Sequence, residues 1–100
     1  MEDNIKVKER YYNNGKLRYK HQYLMGKPHG EQLYYYDNGN LEYKDQYLKG
    51  KRHGEQLIYN SNGELWFDYY YIGGKEVSKE EWIGYIKPQH QTQFLTDLYV

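Results

Sequence analysis

The 100-residue chain has no cysteine, which excludes disulfides and thiolate metal sites. A Cys–His nucleophile is excluded with them, and no Gly-x-Ser-x-Gly segment offers a serine in its place. There is no net charge either, since 14 Lys plus Arg balance 14 Asp plus Glu. Proteins whose main task is to neutralise phosphate carry a visible basic excess, so nucleic acid is disfavoured as a partner. No apolar run reaches the roughly 18 residues that a membrane-crossing helix needs. Met1-Glu2-Asp3-Asn4 lacks the basic and apolar regions of a secretion signal, so the expected location is cytoplasmic (the host cytoplasm for a phage or viral protein). Phe and Trp number only 2 each, and aliphatic residues are too sparse for a thick two-layer core.

What the chain has in quantity is tyrosine, 15 residues of it. An apolar ring with a polar tip suits a half-buried surface better than a deep core, which points to a thin sheet wetted on both sides. The tyrosines are also periodic. A shift of 24 residues superimposes Asn14-Gly15, Asn38-Gly39 and Asn62-Gly63, and likewise Leu17, Leu41 and Leu65. It superimposes Tyr23, Tyr47 and Tyr71, then Gly26-Lys27, Gly50-Lys51 and Gly74-Lys75. Two copies continue through His29-Gly30-Glu31-Gln32-Leu33 and His53-Gly54-Glu55-Gln56-Leu57. Such self-similarity marks a repeat architecture in which each unit rests on its neighbours.

Asn-Gly between two alternating aromatic runs is a strong hairpin signal. A three-residue loop, Asp37-Asn38-Gly39 with Gly39 left-handed, pairs Tyr35 with Leu41 and Leu33 with Tyr43. A two-residue turn would instead set Leu33 opposite Lys44. Because a one-residue slip exchanges the faces of a strand, the three-residue loop is the expected one. It collects Leu17, Tyr19, Leu33, Tyr35, Leu41 and Tyr43 on one face. Arg18, Lys20, Glu42 and Lys44 fall on the other, relieved by Tyr34, Tyr36, Trp66 and Tyr70. Six antiparallel strands are expected, at about 5–12, 16–25, 31–36, 40–49, 55–60 and 64–72.

After Gly74-Lys75 the third copy departs from the pattern. Ser78 followed by Glu81 forms a capping box, and Val77 with Trp82 forms a hydrophobic staple. Trp82, Ile83 and Ile86 lie at helical spacing, and Pro88 ends the helix at or before Lys87. A terminal repeat needs a cap, which this helix is expected to supply. The expected fold is therefore mainly β: an antiparallel single-layer meander of three 24-residue β-hairpin repeats over 1–75, with a C-terminal capping α-helix and tail over 76–100. Docking on the sheet, adding a strand and mediating a dimer are all open to the apolar segment 94–100.

The unit Tyr-x-x-Asn-Gly-x-Leu … Tyr-x-x-Gly-Lys-x-x-Gly resembles the MORN repeat in its bacterial and viral variant form, over residues 11–75. That resemblance implies a run of β-hairpins used for interaction: protein–protein contacts, membrane-proximal scaffolding or dimerisation. It does not imply catalysis. Some small prokaryotic relatives are antitoxin-like, and phages and giant viruses carry such repeats.

No constellation of residues suggests an active site, and neither a metal nor another cofactor is expected. His29 and His53 recur before a glycine, which suits a turn or hydrogen-bonding role better than a metal ligand. His21 stands where the other copies have Asp45 and Tyr69, outside any repeated device. Gly-Lys lacks the glycine-rich run and the Ser or Thr of a phosphate loop, and reads as a turn bearing a solvated lysine. Tyr interleaved with Lys and Arg could stack single-stranded bases, but a polar face beside a tyrosine core accounts for it. The expected function is a non-catalytic protein-interaction module, of which an inhibitor of the antitoxin, immunity or counter-defence type is one form. A self-associating scaffold, homodimeric through a sheet edge or the tail, is the alternative, followed by a weak binder of anionic lipid or nucleic acid. The candidate contact residues are Tyr34, Tyr36, Trp66, Tyr70 and Trp82.

Overall fold

A computed structural model describes residues 4–87. Eight strands form one sheet: β1 (Ile5–Tyr11), β2 (Leu17–Leu24), β3 (Lys27–Pro28), β4 (Gly30–Tyr35), β5 (Leu41–Leu48), β6 (Lys51–Tyr59), β7 (Leu65–Ile72) and β8 (Lys75–Val77). The order is β1-β2-β4-β5-β6-β7-β8, with the short β3 also paired to β2, and every pairing is antiparallel. A helix, α1, follows at residues 79–87. The expected single-layer meander and C-terminal helix are both present. There are two more strands than expected because β3 and β8 begin at the Lys of Gly-Lys, and β6 is longer than expected because it reaches back to Lys51.

Each repeat contains two different turns. In the Asn-Gly loop the N–H of Tyr36 donates to the carbonyl of Asn40 and the N–H of Gly39 to the carbonyl of Tyr36, with Gly39 at φ 95°. This is the three-residue loop with a left-handed glycine, and it recurs at Gly15 and Gly63. The Gly-Lys turns are two-residue turns with both central residues left-handed: Met25-Gly26, Lys49-Gly50 and Gly73-Gly74. That backbone favours glycine, and the third copy has it at both positions.

The pairing beyond the loop departs from expectation. Tyr35 faces Leu41 as expected, but a register shift follows, so that Tyr34 faces Tyr43 and Leu33 faces Lys44. Glu42 is the extra residue, and Arg18 and Trp66 are its equivalents. Cross-strand partners share a face and successive residues alternate, so this bulge exchanges the faces. Leu33 and Leu57 lie on one face with Lys20, Lys44 and Tyr70; Tyr34, Tyr43, Ile58 and Phe67 lie on the other. The expected gathering of Leu and Tyr on one face is corrected accordingly, and Tyr34 is separated from Tyr70. The shift also has an electrostatic counterpart, since it places Lys44 between Glu31 (3.3 Å) and Glu55 (3.6 Å).

Among the described residues the core is small and largely polar. Tyr70 is the buried apolar residue; Gln32, Asp45 and Gln56 are the buried polar ones. Repeats are joined by hydrogen bonds between equivalent turns. Tyr12 and Tyr36 hydroxyls donate to the carbonyls of Tyr35 and Tyr59, one repeat on. Asn14 and Asn38 side chains likewise donate to the carbonyls of Asp37 and Ser61. Across the opposite edge, His29 Nδ1 accepts from the N–H of Lys49 and His53 Nδ1 from that of Gly73, both at 3.0 Å. The histidines thus have the hydrogen-bonding role that their recurrence suggests.

The end of the repeat run follows the expected capping chemistry. Glu81 N–H donates to Ser78 Oγ (3.0 Å), and Ser78 N–H to the Glu81 carboxylate (3.2 Å). The helix sets Trp82 and Tyr85 edge-on to His53, and Lys79 reaches Asp68 at 3.9 Å. Pro88 and the segment 94–100 lie outside the described residues.

Candidate functional site

The five aromatic residues expected to meet a partner do not converge. Tyr34 lies inside an aromatic row across three strands. Tyr19 stacks on His21 (4.3 Å between centroids), His21 meets Tyr34 edge-on (4.9 Å), and Tyr34 tilts against Tyr43 (5.3 Å). Burial first, and the neighbouring Tyr43 and Tyr23 next, push the Tyr34 hydroxyl pKa up. Tyr36 is committed to the repeat-to-repeat hydrogen bond at 2.7 Å. Tyr70 is 7% exposed, and its hydroxyl donates to Asp68 at 2.8 Å. Burial, and then that bond, push its pKa up to about 12. Trp82 packs on His53 and Tyr85. Trp66 alone is free, at 62% exposure.

Around Trp66 lies a surface that sequence reasoning missed. Leu65 and Phe67 are half exposed, and Tyr69 is exposed beside them. Phe67 stacks on Tyr69, and Trp66 meets Phe67 edge-on, each at 6.4 Å. The backbone there also lacks a neighbour among the described residues. On β2, Tyr19 and Lys20 pair with Tyr34 and Leu33; on β5, Tyr43, Lys44 and Asp45 pair with Ile58, Leu57 and Gln56. The equivalent stretch of β7, Phe67 to Tyr69, has β6 on one side, while β8 pairs only with Tyr70 to Ile72. An apolar strand edge with unused backbone groups is a template for another strand. The sequence did hold a signal. Trp66 replaces Arg18 and Glu42 of the other copies, and Tyr69 replaces His21 and Asp45.

The opposite end is built differently. β1 likewise has no outer neighbour among the described residues, but it reads Ile-Lys-Val-Lys-Glu-Arg-Tyr, and charge at a sheet edge discourages pairing.

Beside the aromatic row, on the same face, lies the polar centre. Asp45 is 3% exposed; its Oδ2 accepts from Arg52 Nε (3.1 Å) and from the Tyr43 hydroxyl (3.2 Å). Gln56 Nε2 donates to the same hydroxyl at 2.6 Å. Arg52 lies over the rings of Tyr47 and Tyr71. Burial works against its charge, but the Asp45 carboxylate outweighs burial and raises the guanidinium pKa. Burial, and then Lys8, hold the His21 imidazole below its ordinary 6.5, and its Nε2 is buried without a partner. No cluster of three or more potential metal ligands occurs among the described residues.

The repeated sequence matches a known family. The MORN repeat variant profile fits residues 6–24, 28–49 and 52–72. The chain belongs to the MORN repeat variant family. MORN repeats are binding modules, generally without enzymatic activity. No curated protein and no solved structure matches the chain. No helix among the described residues is long and apolar enough to cross a membrane.

Proposed function

We propose that this MORN-repeat chain is a non-catalytic protein-interaction module whose β7 edge receives an extended segment of a protein partner as an added strand. The observation that carries this reading is the outer side of Phe67–Tyr69, which has no neighbour among the described residues where the two earlier repeats carry the next strand, flanked by the exposed Leu65 and Trp66. Strand addition takes its affinity from main-chain hydrogen bonds and its specificity from alternate side chains. The residue opposite Phe67 should be apolar, as Tyr34 and Ile58 are opposite Tyr19 and Tyr43.

Charge argues against a second copy as the occupant. By repeat equivalence its β1 would set Arg10, Glu9 and Lys8 opposite Phe67, Asp68 and Tyr69, bringing Glu9 against Asp68. Like charges directly opposed across strands are destabilising. An inhibitor that works by occupying a partner's surface is the finer form of this proposal, supported by the chain's interaction-type repeats.

The test compares wild type with Phe67→Lys and Trp66→Ala in capture from a lysate of the source organism, alongside light scattering. Both positions are exposed, so unchanged circular dichroism is expected. Capture of a stoichiometric protein by wild type, lost in both variants, supports the proposal. A wild-type dimer that Phe67→Lys converts to monomer would assign the edge to a second copy and overturn it.

A further inference from the structure

Zero net charge conceals an uneven distribution. The Gly-Lys turns stack along one edge of the sheet, where Lys27, Lys49, Lys51 and Lys75 gather beside Glu76, while Arg52 is paired with Asp45. No Lys of this group is in an ion pair among the described residues. The equivalent lysines are held in a row. The Lys27 stem lies over Gly50, its Cδ 3.3 Å from where a Cβ would stand, and the Lys51 stem lies over Gly74 at 3.5 Å. Backbone bonds of 2.8 Å, Gly50 N–H to Pro28 and Gly74 N–H to Arg52, tie each turn to the next. Successive lysines are two strands apart, a step of about 10 Å. Between Lys51 and Lys75 runs an open groove of about 630 Å³, floored by Arg52 and flanked by Tyr47 and Tyr71.

We propose that this edge binds an acidic segment of a protein partner in the polyproline II conformation, laid across the strands with a carboxylate at every third residue. Three residues of polyproline II advance about 9 Å and return the side chain to the same face, so each carboxylate meets the next lysine of the row. Glycine beneath the Lys27 and Lys51 stems lowers them onto the turns. The surface is separate from the β7 edge, and the two readings fail independently.

The probe is a labelled dodecapeptide with Glu at every third position in a Ser/Gln background, titrated against the full chain by fluorescence anisotropy. Its isomer with the glutamates grouped at one end and vesicles containing phosphatidylserine are titrated in parallel. The spaced peptide should bind at least threefold tighter than the grouped isomer, and more weakly as salt rises. Lys27→Gln/Lys51→Gln/Lys75→Gln should lose about tenfold, and Lys51→Gln alone about two- to threefold, as expected for exposed ion pairs. These stems are exposed, so circular dichroism should be unchanged. Equal binding of the two isomers, an unaffected triple variant, or binding to vesicles without binding to the spaced peptide would overturn the proposal.

Discussion

Gly30 and Gly54 show how one residue type holds a repeat together. Both are left-handed, at φ 87° and 116°, and a Cβ on either would lie 2.3 Å from the side-chain oxygen of Gln22 or Gln46. Gln46 Oε1 uses that closeness to accept the Glu55 N–H at 2.7 Å. Gly54→Ala should therefore cost at least about 1–2 kcal/mol from the backbone alone. A chain of this size should then melt about 4–16 °C lower, as calorimetry would read. His21 gives a second prediction. Its folded pKa lies below the unfolded value of 6.5, so the neutral form is favoured by folding. That contribution is fully present above pH 6.5 and declines as the pH falls below it. Urea titrations at pH 7.5 and 5.5 should show a loss of stability in wild type that is smaller in His21→Phe. The left-handed glycines of the turns were legible in the sequence, because Asn-Gly and Gly-Lys are turn chemistry. The lone buried Nε2 of His21 was not, since its surroundings depend on which face the residue takes.

At the scale of the element, the bulge decided where sequence reading stopped working. Arg18, Glu42 and Trp66 share no side-chain chemistry, and a bulge position that asks only for an extra residue leaves no trace in composition. The loop length was therefore readable, while the register two residues later was not, and Leu33, Leu57 and Tyr34 exchanged faces relative to the strands they pair with. The helix start was readable because a capping box is a local device, satisfied by two side chains three residues apart. The corrected faces yield a prediction for β5 and β6. Arg52→Ala leaves the buried Asp45 carboxylate without its cation, a change that costs about 3–5 kcal/mol in a fully buried pair. Arg52 is 38% exposed, so about 2 kcal/mol is expected here. Asp45→Asn in the same background should recover part of the loss, and a double-mutant cycle by denaturant unfolding reads the coupling.

Across the whole molecule, a single-layer sheet of three repeats has two ends and two rims, and they are not alike. The β1 edge is charged, the β7 edge is aromatic, one rim carries the Asn-Gly loops and the other the lysines. Net charge and overall hydropathy average over these differences, so neither the aromatic edge nor the cationic rim was visible in composition. The identity of the repeat was legible, because it rests on landmarks spaced 24 residues apart. The candidate surface was only half legible: Trp66 stood out, but nothing local marks Phe67 and Tyr69 as lying on an uncovered edge. Lengthening the array past its third unit should also close the β7 edge. A chain with a copy of residues 28–75 inserted after Lys75 should lose partner capture by the original Phe67 stretch, since the inserted strand would pair with it.

The most direct test of the account is amide hydrogen exchange, measured on the chain free and bound to its captured partner. Strand addition predicts that protection on binding concentrates at Leu65–Tyr69 and is abolished by Phe67→Lys. Protection confined to the aromatic row around Tyr34, or none at Leu65–Tyr69 in a stoichiometric complex, would contradict it.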